Sequence, residues 1–129
     1  MREILFRGKR TDNGEWVYGD LTHSVYKIGD TCVGKYGCEI GMHQVDPSTV
    51  GQYTGLTDKN GKRIFEGDVV EYREYGNLAV VWDDGAFQLM REDTFYDMLD
   101  RYTSGISTVV GNRWDNPELL GAHDGGPED

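Results

Sequence analysis

The chain has 129 residues, with 13 lysines and arginines against 23 aspartates and glutamates, and its formal net charge is -10. Hydrophobic residues make up 37% of the chain and aromatic ones 12%, which is enough for a small core and excludes disorder along the whole length. The charge disfavours duplex nucleic acid as a partner, because such binding neutralises phosphates. Eighteen glycines indicate tight turns rather than a helical bundle.

No stretch of the chain approaches the roughly 18 consecutive apolar residues of a membrane span. The first ten residues, MREILFRGKR, also lack the apolar core of a secretory signal. We therefore expect a cytoplasmic protein with no membrane segment. In that reducing compartment Cys32 and Cys38 are expected to be free thiols, with a disulfide as the alternative.

Two hairpins are predicted in the first third of the chain. Apolar side chains alternate in residues 2–7 and 15–21, and Asp12-Asn13-Gly14 between them supplies a turn. The second, more exposed hairpin is predicted from short β-rich runs that are separated by glycine-containing turns. These runs are residues 23–28, 31–33 and 38–42, and the turns are 29–30 and 34–37.

Two cysteines and two histidines of this region form a weak candidate for a metal site: His23, Cys32, Cys38 and His43. Thiolate and imidazole groups are the usual ligands of zinc. However, five residues separate the cysteines, which is wider than the spacing of most structural zinc sites. We therefore expect neither a metal nor a cofactor.

The middle of the chain is predicted to form an antiparallel meander, because short apolar runs alternate with Gly and Asp turns. Asp46-Pro47-Ser48-Thr49 before it has the order of a cap and a single helical turn. The predicted strands are 63–65, 69–75, 78–82 and 86–90. This outline favours a mainly β fold with a small SH3-like barrel.

A short amphipathic helix is predicted over residues 93–102, because Phe95, Met98, Leu99 and Tyr102 recur at helical spacing. Its apolar stripe is expected to cover one end of the barrel, and such a helix leaves an α+β fold as the alternative class. A returning strand is predicted over residues 107–110, followed by a helical turn that begins with Asn116-Pro117-Glu118.

Two segments resemble the YopX family of phage and prophage-encoded proteins. They are residues 50–70, VGQYTGLTDKNGKRIFEGDVV, and residues 109–120, where VVGN is followed by NPELL. The opening residues 2–7, REILFR, are similar to the start of the family as well, whereas Arg113 and Trp114 depart from its pattern. The resemblance implies a phage or prophage gene product with a mainly β fold, in a bacterial host, and no established activity.

We expect one domain over residues 1–120, with a variable hairpin insert at about 22–45. Residues 121–129, GAHDGGPED, are expected to form a flexible acidic tail, because they contain no large apolar side chain that could offset the entropy of ordering.

The residues that carry the resemblance form the family signature: Gln52, Tyr53, Thr54, Gly55, Asp58, Gly61, Glu66, Gly67, Asp68, Gly111 and Asn112. Gly and Asp at these positions are explained by turns. Asp58, Glu66 and Asp68 could instead divide acid and base roles. The chain has none of the common nucleophile, metal or phosphate-binding motifs, so we expect no catalytic residues and no enzymatic activity.

The sequence thus favours an uncharacterised accessory protein that acts as a protein-interaction module. It is expected to form a homo-oligomer through exposed β edges or the N-terminal hairpin, and to bind an unknown host or phage protein. Tyr72 and Tyr75 are the aromatic residues expected to be exposed, because charged residues surround them.

Two alternatives stay open. The first is binding of single-stranded nucleic acid, which would need cations to converge beside an aromatic ring; the candidates are Lys59, Lys62, Arg63 and Arg73. The second is mimicry of nucleic acid, in which the acidic last third of the chain binds a basic host protein.

Overall fold

The fold was analysed in a computed structural model that describes residues 3–28 and 31–121. Within the hairpin of the first unit it describes the backbone, but not the side chains, of residues 23–28 and 31–37. The described chain is mainly β, which confirms the predicted class. It divides into two compact units, one ending at Tyr53 and one beginning at Thr54. The single domain over residues 1–120 stays a prediction. Of the predicted tail, residues 122–129 lie outside the described residues.

The first six strands are β1 (Phe6–Lys9), β2 (Trp16–Gly19), β3 (Leu21–Ile28), β4 (Thr31–Ile40), β5 (His43–Val45) and β6 (Gly51–Thr57). The other six are β7 (Arg63–Phe65), β8 (Asp68–Tyr72), β9 (Asn77–Asp83), β10 (Ala86–Arg91), β11 (Thr94–Met98) and β12 (Ser107–Asn112). The α-helices α1 (Arg101–Ser104) and α2 (Glu118–Gly121) are one turn each, and 3-10 turns span Pro47–Thr49 and Arg73–Tyr75.

In the first unit, β1 pairs antiparallel with β2 and with the start of β6. The predicted N-terminal hairpin is therefore confirmed. A second sheet has the order β3-β4-β5, and Ile40 and Val45 from it are fully buried beside Cys38. Asp46 accepts a hydrogen bond from the Ser48 N–H over 3.0 Å and caps the predicted helical turn.

The second predicted hairpin exists, but the turn predicted within it at residues 34–37 is wrong. β4 continues through these residues as one ten-residue strand, and Gly37 lies opposite Ser24 of β3. A full ladder to β3 satisfies the backbone of β4, and this outweighs the preference of glycine for turns. The chain reverses at Gly41 and Met42 instead. The predicted turn at residues 29–30 lies outside the described residues.

The second unit contains a five-stranded antiparallel sheet with the order β11-β10-β9-β8-β12. Its strands β8, β9 and β10 confirm the predicted meander. Its core consists of seven buried residues: Ile64, Val70, Tyr72, Leu78, Val80, Leu89 and Leu99. In the part of the chain that is described, no ladder joins the outermost strands β11 and β12, so the SH3-like barrel stays a prediction.

The predicted amphipathic helix over residues 93–102 is wrong for most of its length. Thr94–Met98 is strand β11, which pairs with β10 after a two-residue turn at Glu92 and Asp93. Both turn residues have positive φ, 51° and 66°, as in the tight turns that match the twist of a hairpin. Cross-strand pairing overrides the helical spacing, and the helix that does form is the single turn α1, capped by Asp100.

Candidate interaction surface

Asp58 of the family signature covers one edge of the five-stranded sheet. Its Oδ1 accepts hydrogen bonds from the backbone N–H groups of Asn60 and Lys62, each over 2.9 Å. Its Oδ2 accepts one from the Val109 N–H in β12, also over 2.9 Å. The Lys59 N–H donates to the Ser107 oxygen of the same strand. The turn at Asp58 therefore occupies the outer side of β12, which would otherwise be an open edge.

Asp58 is charged in this position. Burial by itself would raise its pKa, but hydrogen bonds from Val109, Lys62 and Asn60 and the charge of Lys62 together hold the pKa below its usual value. Because both carboxylate oxygens serve backbone donors, the contacts of Asp58 support a structural role.

Gly67 and Asp68 form the sharp turn that enters β8. Asp68 Oδ2 accepts a hydrogen bond from the Phe65 N–H over 2.8 Å. Gly67 donates its N–H to the Val80 oxygen and accepts from the Arg113 N–H through its own oxygen. The indole of Trp114 occupies the space in which a β-carbon at Gly67 would lie. This turn therefore joins two distant segments of the second unit.

The other signature residues also lie at turns and strand pairings. Thr54 is buried, and its hydroxyl donates to the Ile64 oxygen over 2.7 Å. Asn112 Oδ1 accepts from the Trp114 and Asp115 N–H groups. The remaining positions lie in β6, in tight turns or in β12: Gln52, Tyr53, Gly55, Gly61, Glu66 and Gly111. These placements support the interpretation that the signature specifies the fold.

The four residues of the candidate metal site are only partly described. The strand register places His23 opposite Cys38, and His43 opposite Ile40. The side chains of His23 and Cys32 lie outside the description. Among the side chains that are described, no three His, Cys, Asp or Glu residues are grouped to hold a metal ion. The weak candidate metal site therefore stays a prediction.

Tyr72 and Tyr75, the two tyrosines expected to be exposed, differ in their surroundings. Tyr72 is only 3% exposed, so the expectation for it is wrong. Its ring packs into the core, and its hydroxyl donates to Asp97 Oδ2 over 2.8 Å. Tyr75 is 44% exposed and stacks on Tyr72 with ring centroids 5.8 Å apart. Alternation in β8 turns Tyr72 inward despite its charged neighbours.

Tyr75, Tyr96 and Arg91 form a second set of contacts that fixes β11. The Tyr96 ring packs edge to face against the Tyr75 ring, with the ring centres 5.7 Å apart. The Arg91 guanidinium lies 4.9 Å from the Tyr96 ring centre and donates both to its hydroxyl and to the Tyr75 oxygen. Together with the bond between Tyr72 and Asp97, these contacts hold the inner side of β11.

The opposite side of β11 is apolar and exposed. Phe95 is 52% exposed and Met98 39%. The two share one side of the sheet because a bulge at Tyr96 shifts the pairing between them, so that Phe95 lies opposite Met90 and Met98 opposite Gln88. We call Phe95 and Met98 the edge surface, since β11 is an outermost strand of the sheet.

A cavity of about 260 Å³ adjoins the edge surface in the second unit. Ala79, Val81 and Met90 form its floor on the same side of the sheet, and Leu120 and Arg113 line its wall. Because Met90 is the strand partner of Phe95, the apolar area extends from the edge of the sheet onto this side.

The sequence reasoning missed the edge surface because it assigned β11 to a helix. A usable signal is the Glu92-Asp93 pair, two turn-prone residues between apolar runs of strand length. Trp82 in β9 is also 52% exposed, although its ring centre lies 4.8 Å from that of Phe87. Exposed aromatic rings in the described chain therefore extend beyond the two tyrosines that the sequence singled out.

Substituting Tyr72 by phenylalanine tests the inner anchor of β11. Burial, then the hydrogen bond to Asp97, raise the pKa of Tyr72 from 10.0 to about 12. We expect Y72F to lower the free energy of unfolding by about 1 to 2 kcal/mol at neutral pH, because Asp97 loses its donor. The contribution of Tyr72 is present below pH 10 and is lost as pH rises toward 12, so the two proteins should converge there.

Urea unfolding of both proteins from pH 7 to pH 11.5 would measure this difference. Tyr75 beside Tyr72 is 44% exposed, and its contacts are made by its ring and backbone oxygen, so Y75F is the matched control and should change the unfolding free energy little. A Y72F difference that is constant across this pH range would contradict the prediction.

Taken together, these observations describe a mainly β protein whose signature residues lie at turns and strand pairings and whose strand β11 is outermost in the five-stranded sheet. The chain belongs to the YopX family, because the family model for YopX protein matches residues 5–121. No curated protein matches the chain. Among solved structures it is similar to protein EF1440 from Enterococcus faecalis, with 24% identity and a TM-score of 0.57 over 93% of this chain and 99% of that one.

The likeness to EF1440 concerns the fold. Across the described helices, none has both the length and the apolar character that crossing a membrane requires.

Proposed function

We propose that this YopX-family chain is a non-enzymatic protein-interaction module of phage or prophage origin. It acts as a homo-oligomer in the cytoplasm of the bacterial host and binds a host or phage protein. The observation that carries the proposal is the edge surface, an apolar and exposed side of an outermost strand. Such strands pair readily with another chain.

The signature carboxylates also support a role without catalysis. Asp58 uses both oxygens, and Asp68 one oxygen, to accept backbone hydrogen bonds inside the fold. A general base needs a carboxylate oxygen within reach of the substrate proton. Asp58 is only 5% exposed and Asp68 only 2%, so a substrate has little access to either.

Light scattering on the purified full chain, combined with cross-linking in its bacterial host, tests the proposal. We expect a mass of two or more chains, and a host or phage protein cross-linked to the chain and identified by mass. A monomer at every concentration, with no cross-linked partner, would overturn it. The mass measurement needs no partner, so it separates self-association from partner binding.

Binding of single-stranded nucleic acid is a second candidate, which one observation favours. The Arg73 guanidinium lies 5.5 Å from the centre of the exposed Tyr102 ring, and cations beside exposed rings are typical of such sites. Fluorescence anisotropy with a labelled oligothymidine would detect it. This function requires binding that weakens as salt is added and is reduced in R73Q.

The mimicry alternative requires acidic side chains in a regular row along the last third of the chain. Residues 122–129 of that third lie outside the description. Cross-linking distinguishes this alternative as well, because a mimic should be recovered with a protein that otherwise binds DNA, and DNA should displace it.

A further inference from the structure

The cavity of the second unit has an apolar floor. Ala79, Val81 and Met90 form this floor, and Leu120 adds an apolar side chain to the wall. The volume of about 260 Å³ lies just below the range of roughly 300 to 1,000 Å³ that holds drug-sized ligands. The cavity therefore has room for a small metabolite rather than for a segment of a folded partner.

Charged side chains of both signs complete the lining. The Arg91 guanidinium is already used inside the fold, because it donates to two backbone oxygens and to the Tyr96 hydroxyl. The charged groups that remain for a ligand are one guanidinium and two carboxylates. They belong to Arg113, Glu92 and Asp93.

The remaining cation and the two carboxylates do not neutralise one another. Among the residues that the structure describes, the Arg113 guanidinium forms neither an ion pair nor a hydrogen bond with Glu92 or Asp93. All three side chains are exposed, so a dissolved ligand can reach them. Opposite charges that stand apart over an apolar floor are complementary to a small molecule with both charges and an apolar group.

The fold holds both ends of this arrangement of charges. Glu92 and Asp93 form the two-residue turn between the paired strands β10 and β11. The backbone of Arg113 is fixed by its N–H, which donates to the Gly67 oxygen over 2.9 Å. Because these backbone positions are set before a ligand arrives, little conformational entropy is lost on binding.

We propose that this cavity binds a free amino acid with an apolar side chain, such as leucine or methionine. The ligand carboxylate lies against the Arg113 guanidinium, its ammonium group against Glu92 and Asp93, and its side chain on the apolar floor. Arginine suits the first contact, because its guanidinium can hold a carboxylate through two parallel hydrogen bonds. This site goes beyond the proposed function, since it involves neither the edge surface nor a protein partner.

The balance of charge favours a free amino acid over the end of a peptide. A peptide carries its ammonium group at one end and its carboxylate at the other, so a terminal residue brings only one of these charges to the cavity. A free amino acid carries both on one carbon atom. Because the cavity has groups for both charges, a peptide end would leave one of them without a partner.

The first experiment tests the class of ligand by NMR titration of the full chain, followed at the Met90 methyl group and the backbone amides. The probes are L-leucine, N-acetyl-L-leucine, L-leucinamide and glycine, of which the last three lack the ammonium group, the carboxylate and the side chain respectively. We expect L-leucine to bind, and each of the other three to bind about tenfold or more weakly, because each loses one kind of contact.

Three results of this titration would overturn the proposal. N-acetyl-L-leucine that binds as tightly as L-leucine would assign the cavity to a simple carboxylate or to the carboxyl end of a peptide. L-leucinamide that binds as tightly would assign it to an amine. Failure of L-leucine to shift the signals of the cavity residues, or equal binding of glycine, would remove the amino-acid site altogether.

The second experiment tests the cation with R113Q, and R101Q is the matched control. Both arginines are exposed in the second unit, but Arg101 does not line the cavity. We expect R113Q to raise the dissociation constant of L-leucine about tenfold or more and R101Q to change it little. Binding of L-leucinamide should be the same in R113Q as in the native chain, because this probe has no carboxylate.

The third experiment tests the carboxylates by combining E92Q with D93N. Combining D83N with D84N is the control, because these two exposed residues at the turn between β9 and β10 do not line the cavity. We expect only the first pair to weaken binding of L-leucine, by about tenfold or more, and to leave binding of N-acetyl-L-leucine unchanged. Circular dichroism checks that each variant keeps its fold. Binding of L-leucine that survives both R113Q and the first pair would overturn the proposal.

Discussion

Replacing Gly67 by alanine is expected to lower the free energy of unfolding by about 3 to 5 kcal/mol. Gly67 has φ of 92°, where a β-carbon adds strain, and that carbon would overlap the indole of Trp114. The backbone at Gly67 cannot shift freely, because its N–H bonds to Val80 and its oxygen to Arg113. Urea unfolding followed by tryptophan fluorescence would measure the loss.

Gly61 is the matched control for this substitution. It has φ of 83°, similar to that of Gly67, but a β-carbon there would meet nothing within 4 Å. G61A should therefore lower the free energy of unfolding only by the backbone strain, about 1 kcal/mol. If G61A and G67A lower the free energy of unfolding by the same amount, the packing of Trp114 on Gly67 contributes nothing to stability.

A double-mutant cycle separates the clash from the strain. Combining G67A with W114L removes most of the ring that would be overlapped. We expect the cost of G67A to fall by about 1 to 3 kcal/mol in the W114L background, because contacting residues couple by such amounts. If the losses of unfolding free energy in G67A and W114L simply add in the double mutant, the contact between Gly67 and Trp114 is contradicted.

Replacing Asp58 by asparagine is expected to lower the free energy of unfolding by about 2 to 4 kcal/mol at neutral pH. An amide offers one acceptor oxygen where the carboxylate offers two, so either the Val109 N–H or the turn N–H groups lose their partner. The charge that strengthens these bonds is lost as well. Hydrogen exchange at Val109 would show the loss locally, as faster exchange at the β12 edge.

The effect of D58N should depend on pH in a defined direction. The folded-state pKa of Asp58 lies below its ordinary value of 3.8. Its charged form therefore contributes stability above about pH 4, and that contribution is lost as pH falls through the folded-state pKa. The difference between the native chain and D58N should shrink in acid.

Asp46 provides the control for Asp58. Its carboxylate is exposed and caps the turn at Pro47–Thr49 by accepting from Ser48, and asparagine is an equally good cap. D46N should change stability by less than about 0.5 kcal/mol. An acid-independent loss in D58N, or an equal loss in D46N, would contradict the role assigned to Asp58.

Sequence reasoning worked where local chemistry decides the structure. Asp46 followed by proline specified a capped helical turn, and the Gly and Asp clusters around residues 58, 67 and 85 marked reversals of the chain. The segments that resemble the YopX family were long and contiguous enough to identify the family, and the family match confirms that identification. These features depend on a few neighbouring residues, so no distant partner is needed to interpret them.

Sequence reasoning failed where a distant strand decides. The 93–102 segment has helical spacing, yet β10 offers its backbone a ladder and the Glu92-Asp93 turn brings it into register. Residues 34–37 contain two glycines, yet β3 keeps them extended. The exposure of Tyr72 was misjudged for a related reason, since the partner that buries its hydroxyl, Asp97, lies 25 residues away.

The amino-acid sequence alone therefore determined the mainly β class, the family, the positions of most turns and the acidic charge, because composition and short-range conformational preference suffice for these. Only the tertiary structure decided that Asp58 covers the β12 edge, that Trp114 packs on Gly67, and that Phe95 and Met98 share one exposed side of β11. Each of these depends on the pairing of strands far apart in sequence, and hydrophobic periodicity within one segment carries no information on that pairing.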